Sequence, residues 1–274
     1  MSGVYIGVDG KARKVKGGYI GVDGKARKIK KGYIGDENGV ARLCWNESVK
    51  KLSEYTVGSS VYLLENGNPV EYLIVHKGIP SNLYDSSCDG AWLLRKDILE
   101  LRSWNESNNS NIYATSSIHN YLNSEFLSKF DVSLQNAVKQ VKIPYTNGYG
   151  NSGVVASGAN GLTTKAFLLA VNEVGLTVSD YTNVPSDGYK LDYFESGTVS
   201  TAKTKRTAYL DGVASVWWTR SAYKSNATDA CRISDNGGLG SLQTSRTGGI
   251  RPALILPYNA IFDETTNIFE GVTK

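Results

Sequence analysis

A ten-residue sequence that occurs twice without change is the feature that most constrains the fold of this chain of 274 residues. Tyr5–Lys14 recurs as Tyr19–Lys28, and a degraded copy begins at Tyr33, so that successive copies start 14 residues apart. Each copy has the pattern of two short strands joined by Asp-Gly or Asn-Gly, which is a strong hairpin signal. One such hairpin buries too little apolar surface to be stable alone. We therefore predict a β-hairpin repeat arm over residues 1–43 that packs on neighbouring copies or on other chains in a homo-oligomer.

The predicted arm is basic. Residues 1–43 contain ten Lys or Arg residues and four acidic residues, whereas the whole chain has a formal net charge of only +4. Such an arm suits nucleic acid or an acidic protein surface. The same charge also keeps exposed β edges soluble. We favour the second explanation and do not expect nucleic acid as a partner, because the repeats lack the interleaved aromatic platforms that single-strand binding uses.

Residues 44–274 are predicted to form one α+β domain of short strands, two helices and long polar loops. Ile118, Leu122 and Phe126 follow near-helical spacing, which predicts one helix over 116–130, and a second is expected over 130–141. The turn residues Asn66 and Gly67 predict a hairpin. Apolar segments predict strands at 60–64, 70–75, 91–94, 165–171, 216–220, 230–234 and 250–256.

The residues that usually carry catalysis form no recognisable pattern. Cys44, Cys88 and Cys231 are far apart and include no CxxC pair, so the spacing indicates neither a zinc site nor a disulfide framework. His76 and His119 have no partner at metal-ligand spacing, and HExxH, GxSxG and P-loop motifs are absent. We therefore expect no catalytic residues, no metal and no cofactor. Paired carboxylates for a glycosidase can be drawn from 26 acidic residues, so that alternative stays open.

The amino terminus lacks a charged region followed by an apolar one, so no signal peptide is predicted. The longest apolar runs, such as 166–171 and 253–256, are too short to span a bilayer. We expect synthesis in the bacterial cytoplasm and no membrane partner.

Several segments within residues 55–258 resemble, in order and spacing, an uncharacterised domain family common in prophages and gut-associated Firmicutes. These are Asp89–Asp97, Ser117–Asn123, Phe167–Leu169 with Glu173–Gly175, Trp218–Ser221 and Gly249–Leu254. That family is similar to the C-type-lectin fold shared by formylglycine-generating enzymes and the variable proteins of diversity-generating retroelements. The repeats are similar to those that precede such domains in phage structural proteins. The redox cysteine pair of the formylglycine-generating enzymes has no match here.

The resemblance implies a C-type-lectin-like scaffold whose variable stretch, here residues 222–248, faces a ligand. Trp218, Arg220 and Arg251 are expected to be scaffold residues, since a buried Trp and a neighbouring Arg need partners inside the fold. Trp217 points to the opposite face of its strand and is expected to be displayed. The other candidate ligand-binding residues are Tyr223, Lys224, Asn226, Thr228, Asp229, Arg232, Asn236, Gln243, Ser245 and Arg246.

This composition is typical of paratopes, although ordinary solvated loops share it. The resemblance favours a phage or prophage tail-associated receptor-binding protein, located in the virion, that binds a bacterial surface protein or glycan and other tail proteins. A trimer is expected by analogy with phage fibres. A purely structural virion decoration protein and an enzyme that cleaves surface polysaccharide are the alternatives.

Overall fold

The structure, a computed structural model, describes residues 48–107, 110–147, 153–176, 182–195 and 204–273, together with the backbone of six strands in the repeat arm. The side chains of the arm, and the predicted packing between its hairpins, lie outside the described residues.

Each repeat forms one antiparallel hairpin, as its Asp-Gly or Asn-Gly turn predicts. The strand pairs are β1 (Tyr5–Val8) with β2 (Lys11–Lys14), β3 (Gly18–Val22) with β4 (Lys25–Ile29), and β5 (Lys31–Gly35) with β6 (Ala41–Asn46). The third hairpin pairs Lys31 with Asn46, so it extends three residues beyond the predicted boundary at residue 43.

The rest of the described chain is α+β, with many short strands and few helical residues. The helices are α1 (Ser117–Tyr121), which continues through a π-helical turn (Leu122–Phe126) and a 3-10 turn (Leu127–Lys129), and α2 (Val132–Ala137). Further 3-10 turns are Leu52–Glu54, Ser86–Cys88, Tyr113–Thr115 and Gly158–Asn160. None of the helices in the described ranges has the length and apolar character needed to cross a membrane.

The strands follow one another closely. They are β7 (Val49–Lys51), β8 (Ser60–Glu65), β9 (Asn68–Lys77), β10 (Ala91–Arg95), β11 (Leu101–Ser103), β12 (Val141–Ile143), β13 (Tyr145–Asn147), β14 (Val154–Ala156), β15 (Leu162–Thr164), β16 (Ala166–Phe167), β17 (Ala208–Leu210), β18 (Val213–Ser215), β19 (Trp217–Ala222), β20 (Asp229–Ile233), β21 (Leu239–Gln243), β22 (Thr247–Gly249), β23 (Ala253–Leu256), β24 (Ala260–Asp263) and β25 (Phe269–Val272).

Two five-stranded sheets carry the domain. The first has the order β16-β23-β10-β9-β8 and the second the order β11-β22-β19-β20-β21. The predicted hairpin between β8 and β9 turns at Asn66 and Gly67, whose φ angles of 50° and 80° are those of a two-residue type I′ turn. Near the ends of the domain, β24 pairs with both β7 and β25, so the two ends of the domain lie in one sheet on either side of β24.

The core consists of two apolar clusters, and the central strands contribute to both. On β10, Leu93 packs into one cluster and Trp92 into the other. On β19, Trp218 joins the first and Trp217 the second. Because successive residues of a strand point to opposite faces, these strands are covered on both sides. Strand β19 is therefore a rigid support for the loops that follow it.

The first predicted helix is confirmed, and the second is shorter than predicted. The Ser116 hydroxyl accepts a hydrogen bond from the His119 backbone N–H at 3.2 Å and begins α1. The predicted helix over 130–141 is α-helical only from Val132 to Ala137. Val138 is extended, the Lys139 N–H donates to the carbonyl of Ile255, and Val141 begins β12. Pairing with β15 and contact with the first sheet outweigh the helical spacing here.

Candidate functional site

A buried ion pair fixes the middle of β19. The Arg220 guanidinium contacts Glu173 through Nη1 to Oε2 and Nη2 to Oε1, both at 2.6 Å, and both side chains are fully buried. Its Nε donates to the Pro144 carbonyl at 2.9 Å and its Nη1 also to the Leu168 carbonyl at 3.0 Å. Two parallel bonds to a carboxylate hold both partners in one geometry. The network therefore ties β19 to the segments around residues 144, 168 and 173.

Further polar groups complete this network. The Tyr84 hydroxyl donates to Glu173 Oε1 at 2.7 Å, and the Ser221 hydroxyl donates to Asp187 Oδ1 at 2.7 Å. Burial raises the pKa of Asp187 to about 6, although the charge of Arg220 opposes that rise. Sequence analysis placed Glu173 in a motif but identified neither Tyr84 nor Asp187, because nothing in their neighbourhoods marks them as partners of Arg220.

The two tryptophans of β19 are both fully buried. Trp218 Nε1 donates to the Arg102 carbonyl at 2.9 Å, and Trp217 Nε1 donates to the Arg206 carbonyl at 2.8 Å. The expectation that Trp217 is displayed to a ligand is therefore corrected. The two rings do point to opposite faces, but both faces of β19 are covered by core clusters. Trp217 is a framework residue.

Arg251, the third predicted scaffold residue, is 2% exposed. Its Nε lies 2.9 Å from the Arg95 carbonyl and 3.1 Å from that of Lys96, and its guanidinium carbon lies 5.1 Å from the centroid of the Trp217 ring. The cation therefore packs on an aromatic face and links the end of β10 to Trp217 in the second cluster.

The ten polar candidates after β19 lie on and around the hairpin of β20 and β21. All ten are at least partly exposed, while the intervening Ala230, Cys231, Ile233 and Thr244 are buried. Asp229 pairs with Gln243, and the Thr244 N–H donates to the Thr228 carbonyl at 2.9 Å. The two chain segments therefore form one surface, which we call the base face. It consists of Tyr223, Lys224, Asn226, Thr228, Asp229, Gln243, Ser245 and Arg246.

A buried asparagine anchors the base face. Asn111 is fully buried, and its Nδ2 lies 3.1 Å from the carbonyl oxygens of Tyr223 and Asn226 and 2.7 Å from that of Asp229. Backbone carbonyls of three loop residues thus converge on one amide group. Sequence analysis missed Asn111, since it lies in an Asn- and Ser-rich stretch where nothing distinguishes it from its neighbours.

The structure separates Asn236 from the base face. It lies in the turn that joins β20 to β21, beyond Ile233, which is itself four residue steps from Asp229, or about 13 Å at about 3.3 Å per residue. Its Oδ1 accepts bonds from the Ser234 hydroxyl at 2.9 Å and the Gly238 N–H at 3.0 Å. Asn226 Oδ1 likewise accepts from the Thr228 N–H at 3.0 Å. Both asparagines thus shape their own turns, as Asn commonly does.

Arg232 lies in the middle of β20 and is partly buried. Its Nε is 3.4 Å from the Ser241 carbonyl on the neighbouring strand. Within the base face, Lys224, Gln243 and Arg246 extend charged or amide groups on exposed or half-buried side chains.

A polar groove on another part of the domain was not foreseen. Three adjoining concavities of about 660, 290 and 270 Å³ all have Gln140 in their walls. Lys142 Nζ donates to the Ala159 carbonyl at 3.0 Å, and Lys165 Nζ donates to the Gln135 carbonyl at 2.8 Å. The surface of the groove thus carries side-chain amide groups. It also carries the ammonium groups of two lysines, each of which donates to a backbone carbonyl. Its walls come from the end of α2, from β12 and β15, and from segments more distant in sequence around residues 85–87, 119–127 and 257.

The described thiols and imidazoles are buried. Burial raises the pKa of Cys88 to about 12 and raises that of Cys231 further, so both thiols are protonated at neutral pH. Burial also lowers the pKa of His76 and of His119. In the part of the chain that the structure describes, no cluster of three or more His, Cys, Asp or Glu side chains could hold a metal ion.

Comparison with known proteins adds a family. The family model of a domain of unknown function, DUF6273, matches residues 89–258, which is more than half of the chain. The matched range includes Glu173, Asn111, β19 and the whole base face. No curated protein and no solved structure matched the chain. The chain belongs to the DUF6273 domain family.

Proposed function

We propose that this protein is a phage or prophage tail-associated receptor-binding protein whose base face contacts a protein or glycan on a bacterial surface. One observation carries the proposal: the polar side chains of the base face reach solvent beside β19, a strand that is buried on both sides. Such a surface can change its side chains without changing the core. Recognition by loops on a rigid scaffold is a common way to bind varied partners.

The contacts that hold the base face in place support a role in binding a partner, because they indicate an ordered surface. Asn111 holds three carbonyls of the loop, and Arg220 with Glu173 holds the strand that leads into it. A loop that is already ordered loses less conformational entropy on binding, so more of the contact energy appears as affinity. The framework is thus suited to a partner that is met at low concentration.

We also propose a C-type-lectin-like fold for the domain and an assembly role for the repeat arm. The α+β class and the pairing of β7 with β24, which brings the two ends of the domain together, support that fold. Three basic hairpins in succession support attachment to other tail proteins within a homo-oligomer. The base face then points to the host while the arm joins the particle.

Adhesion of the full-length protein to candidate host cells tests the proposal. Changing Lys224, Gln243 and Arg246 together to alanine is expected to weaken adhesion about tenfold or more, since it removes two charged groups and one amide group from the base face. The matched control changes Ser133, Asn136 and Gln140 to alanine, which are three exposed polar residues of the groove. We expect the control to bind as the wild type does.

The other outcomes have definite meanings. Loss of adhesion in the groove variant alone contradicts the base face as the contact surface. If the wild-type protein adheres to none of the hosts but is incorporated into phage particles, the result favours a decoration protein. Release of shorter fragments from host glycans favours polysaccharide cleavage.

A further inference from the structure

A small cleft lies beside Arg251, away from the base face. Its volume is about 160 Å³, and Lys96, Asp97, Tyr193, Lys205 and Tyr209 contribute to its walls together with Arg251. A cavity of about 150 Å³ is enough to hold a benzene-sized molecule. None of the base-face residues lines this cleft. It therefore suits a small group and is separate from the surface proposed above.

Arg251 brings a positive charge into the cleft, and among the described residues no carboxylate forms an ion pair with it. Its Nε is occupied by two backbone carbonyls, but its Nη1 is buried and has no hydrogen-bond partner among the residues that the structure describes. Burial lowers its pKa to about 10, so the guanidinium stays charged at neutral pH. A buried charge without a partner is costly, and an incoming anion with acceptor atoms would relieve that cost.

The charges at the rim are already compensated. Lys96 Nζ lies 2.8 Å from Glu71 Oε2, and Lys205 Nζ lies 3.1 Å from Glu195 Oε1. Asp97 adds an exposed negative charge near the opening. The charge of Arg251 is thus opposed by that of Asp97, which raises the pKa of Arg251 but forms no ion pair with it among the described residues. Asp97 repels any incoming anion, but it repels a monoanionic carboxylate less than a dianionic phosphate.

We infer that the cleft binds the carboxylate of a small organic acid, such as a sugar acid, with Arg251 Nη1 donating to the carboxylate oxygen. Arginine prefers planar carboxylates because its donors match their two acceptor oxygens. The rings of Tyr193 and Tyr209 flank the site and offer apolar surface to the rest of the molecule. This inference goes beyond the proposed function, because it concerns a different surface and a small ligand.

Nuclear magnetic resonance titration of the full-length protein tests the inference. Acetate and D-glucuronate are the carboxylate probes, glycerol 3-phosphate is the phosphate probe, and D-glucose and sodium chloride are the neutral and ionic-strength controls. We expect acetate and D-glucuronate to shift the signals of the Arg251 Nε–H and of the Lys205 and Tyr209 amides. The three shift changes should follow the same saturable dependence on ligand concentration. Glucose and chloride should leave them in place.

Three variants locate the site. Arg251→Lys keeps a charge but loses the planar donors, and it should weaken D-glucuronate binding about tenfold. Tyr209→Ala changes an exposed wall residue and should weaken binding several-fold, which keeps the test valid if the Arg251 variant does not fold. Lys129→Ala removes a positive charge at a residue that does not line the cleft, and it should bind as the wild type does.

Two results would overturn the inference. One is a shift that does not saturate or that Lys129→Ala weakens as much as Arg251→Lys. The other is tighter binding of glycerol 3-phosphate than of D-glucuronate, which would assign the cleft to phosphate.

Discussion

Arg220 and Arg251 are both buried, yet their surroundings differ in a way that separates structure from ligand binding. Arg220 makes two bonds of 2.6 Å to Glu173 and further bonds to carbonyls, and the negative charge of Glu173 raises its pKa against the effect of burial. Arg251 has two carbonyls and an aromatic ring, and burial lowers its pKa to about 10. The first charge has a carboxylate partner at ion-pair distance, and the second has none among the described residues.

Burial alone does not distinguish an arginine that holds the fold together from one that can bind a ligand, whereas the groups around the arginine do. A buried arginine with a matched carboxylate holds elements together, because separating the pair leaves an isolated charge in the core. A buried arginine without one retains capacity for an anion from outside. Both were expected to be scaffold residues from their positions in the sequence, and only the partner groups distinguish them.

The largest effect is expected from breaking the Arg220 pair. Glu173→Gln keeps the size of the side chain but removes its charge, so Arg220 is left unbalanced in the core. We expect the free energy of unfolding to fall by about 3 to 5 kcal/mol. For a domain of this size, the midpoint of thermal unfolding should fall by about 10 °C. Urea and thermal unfolding measure both quantities.

Glu71→Gln is the matched control for that change. Glu71 pairs with the exposed Lys96 at 2.8 Å, and solvent screens such a pair. We expect a loss below about 1 kcal/mol. Equal losses in the two variants would mean that the buried pair has no special role, and the contrast with Arg251 would then lose its basis.

Asp187 gives the network a pH dependence whose sign follows from its raised pKa. Burial raises the pKa from 3.8 to about 6, so the folded protein holds a proton that the unfolded chain has lost. This contribution to stability is full below about pH 4 and is lost as the pH rises through about 6. Asp187→Asn cannot titrate. Relative to the wild type, its free energy of unfolding should rise between pH 4 and pH 7, by up to about 3 kcal/mol.

Unfolding by urea at several pH values from 4 to 7.5 measures this difference. Parallel pH profiles for the wild type and Asp187→Asn would show that Asp187 does not titrate in this window, contrary to the expected effect of its burial.

Asn111→Ala tests whether a neutral anchor holds the base face as firmly as the ion pair holds β19. The change removes the amide that meets the carbonyls of Tyr223, Asn226 and Asp229, and we expect a loss of about 1 to 3 kcal/mol. Hydrogen exchange should become faster at the amides of residues 223–229. Unchanged exchange there, with the same loss of stability, would place the effect elsewhere in the core.

Local patterns in the sequence were sufficient for several elements. Asn66 and Gly67 indicated the hairpin of β8 and β9, because few residue pairs adopt two positive φ angles. The spacing of Ile118, Leu122 and Phe126 indicated the helix that begins with α1, and the structure shows the Ser116 hydroxyl capping it. In each case the determining interaction lies within a few residues of the signal, and a single sequence contains that information.

Contacts between distant segments were not accessible in this way. Arg220 and Glu173 are 47 residues apart, and Asn111 lies more than a hundred residues from the loop that it holds. For Trp217, strand alternation correctly placed it opposite Trp218, but whether a face is covered depends on how the layers pack. The groove at Gln140 and the cleft at Arg251 likewise arise only when separate elements meet.

Arg251→Met is expected to have the smallest effect on stability, and that small effect is what makes it informative. The change removes the bonds from Nε to the carbonyls of Arg95 and Lys96, each worth about 1 kcal/mol or somewhat more. It also removes an unbalanced charge from the core, which offsets that loss. We expect the free energy of unfolding to stay within about 1 kcal/mol of the wild type, against the much larger loss in Glu173→Gln. Urea unfolding of the two variants under the same conditions makes the comparison. A loss in Arg251→Met as large as in Glu173→Gln would mean that Arg251 is balanced inside the fold after all, and the cleft would then have no charge to offer a ligand.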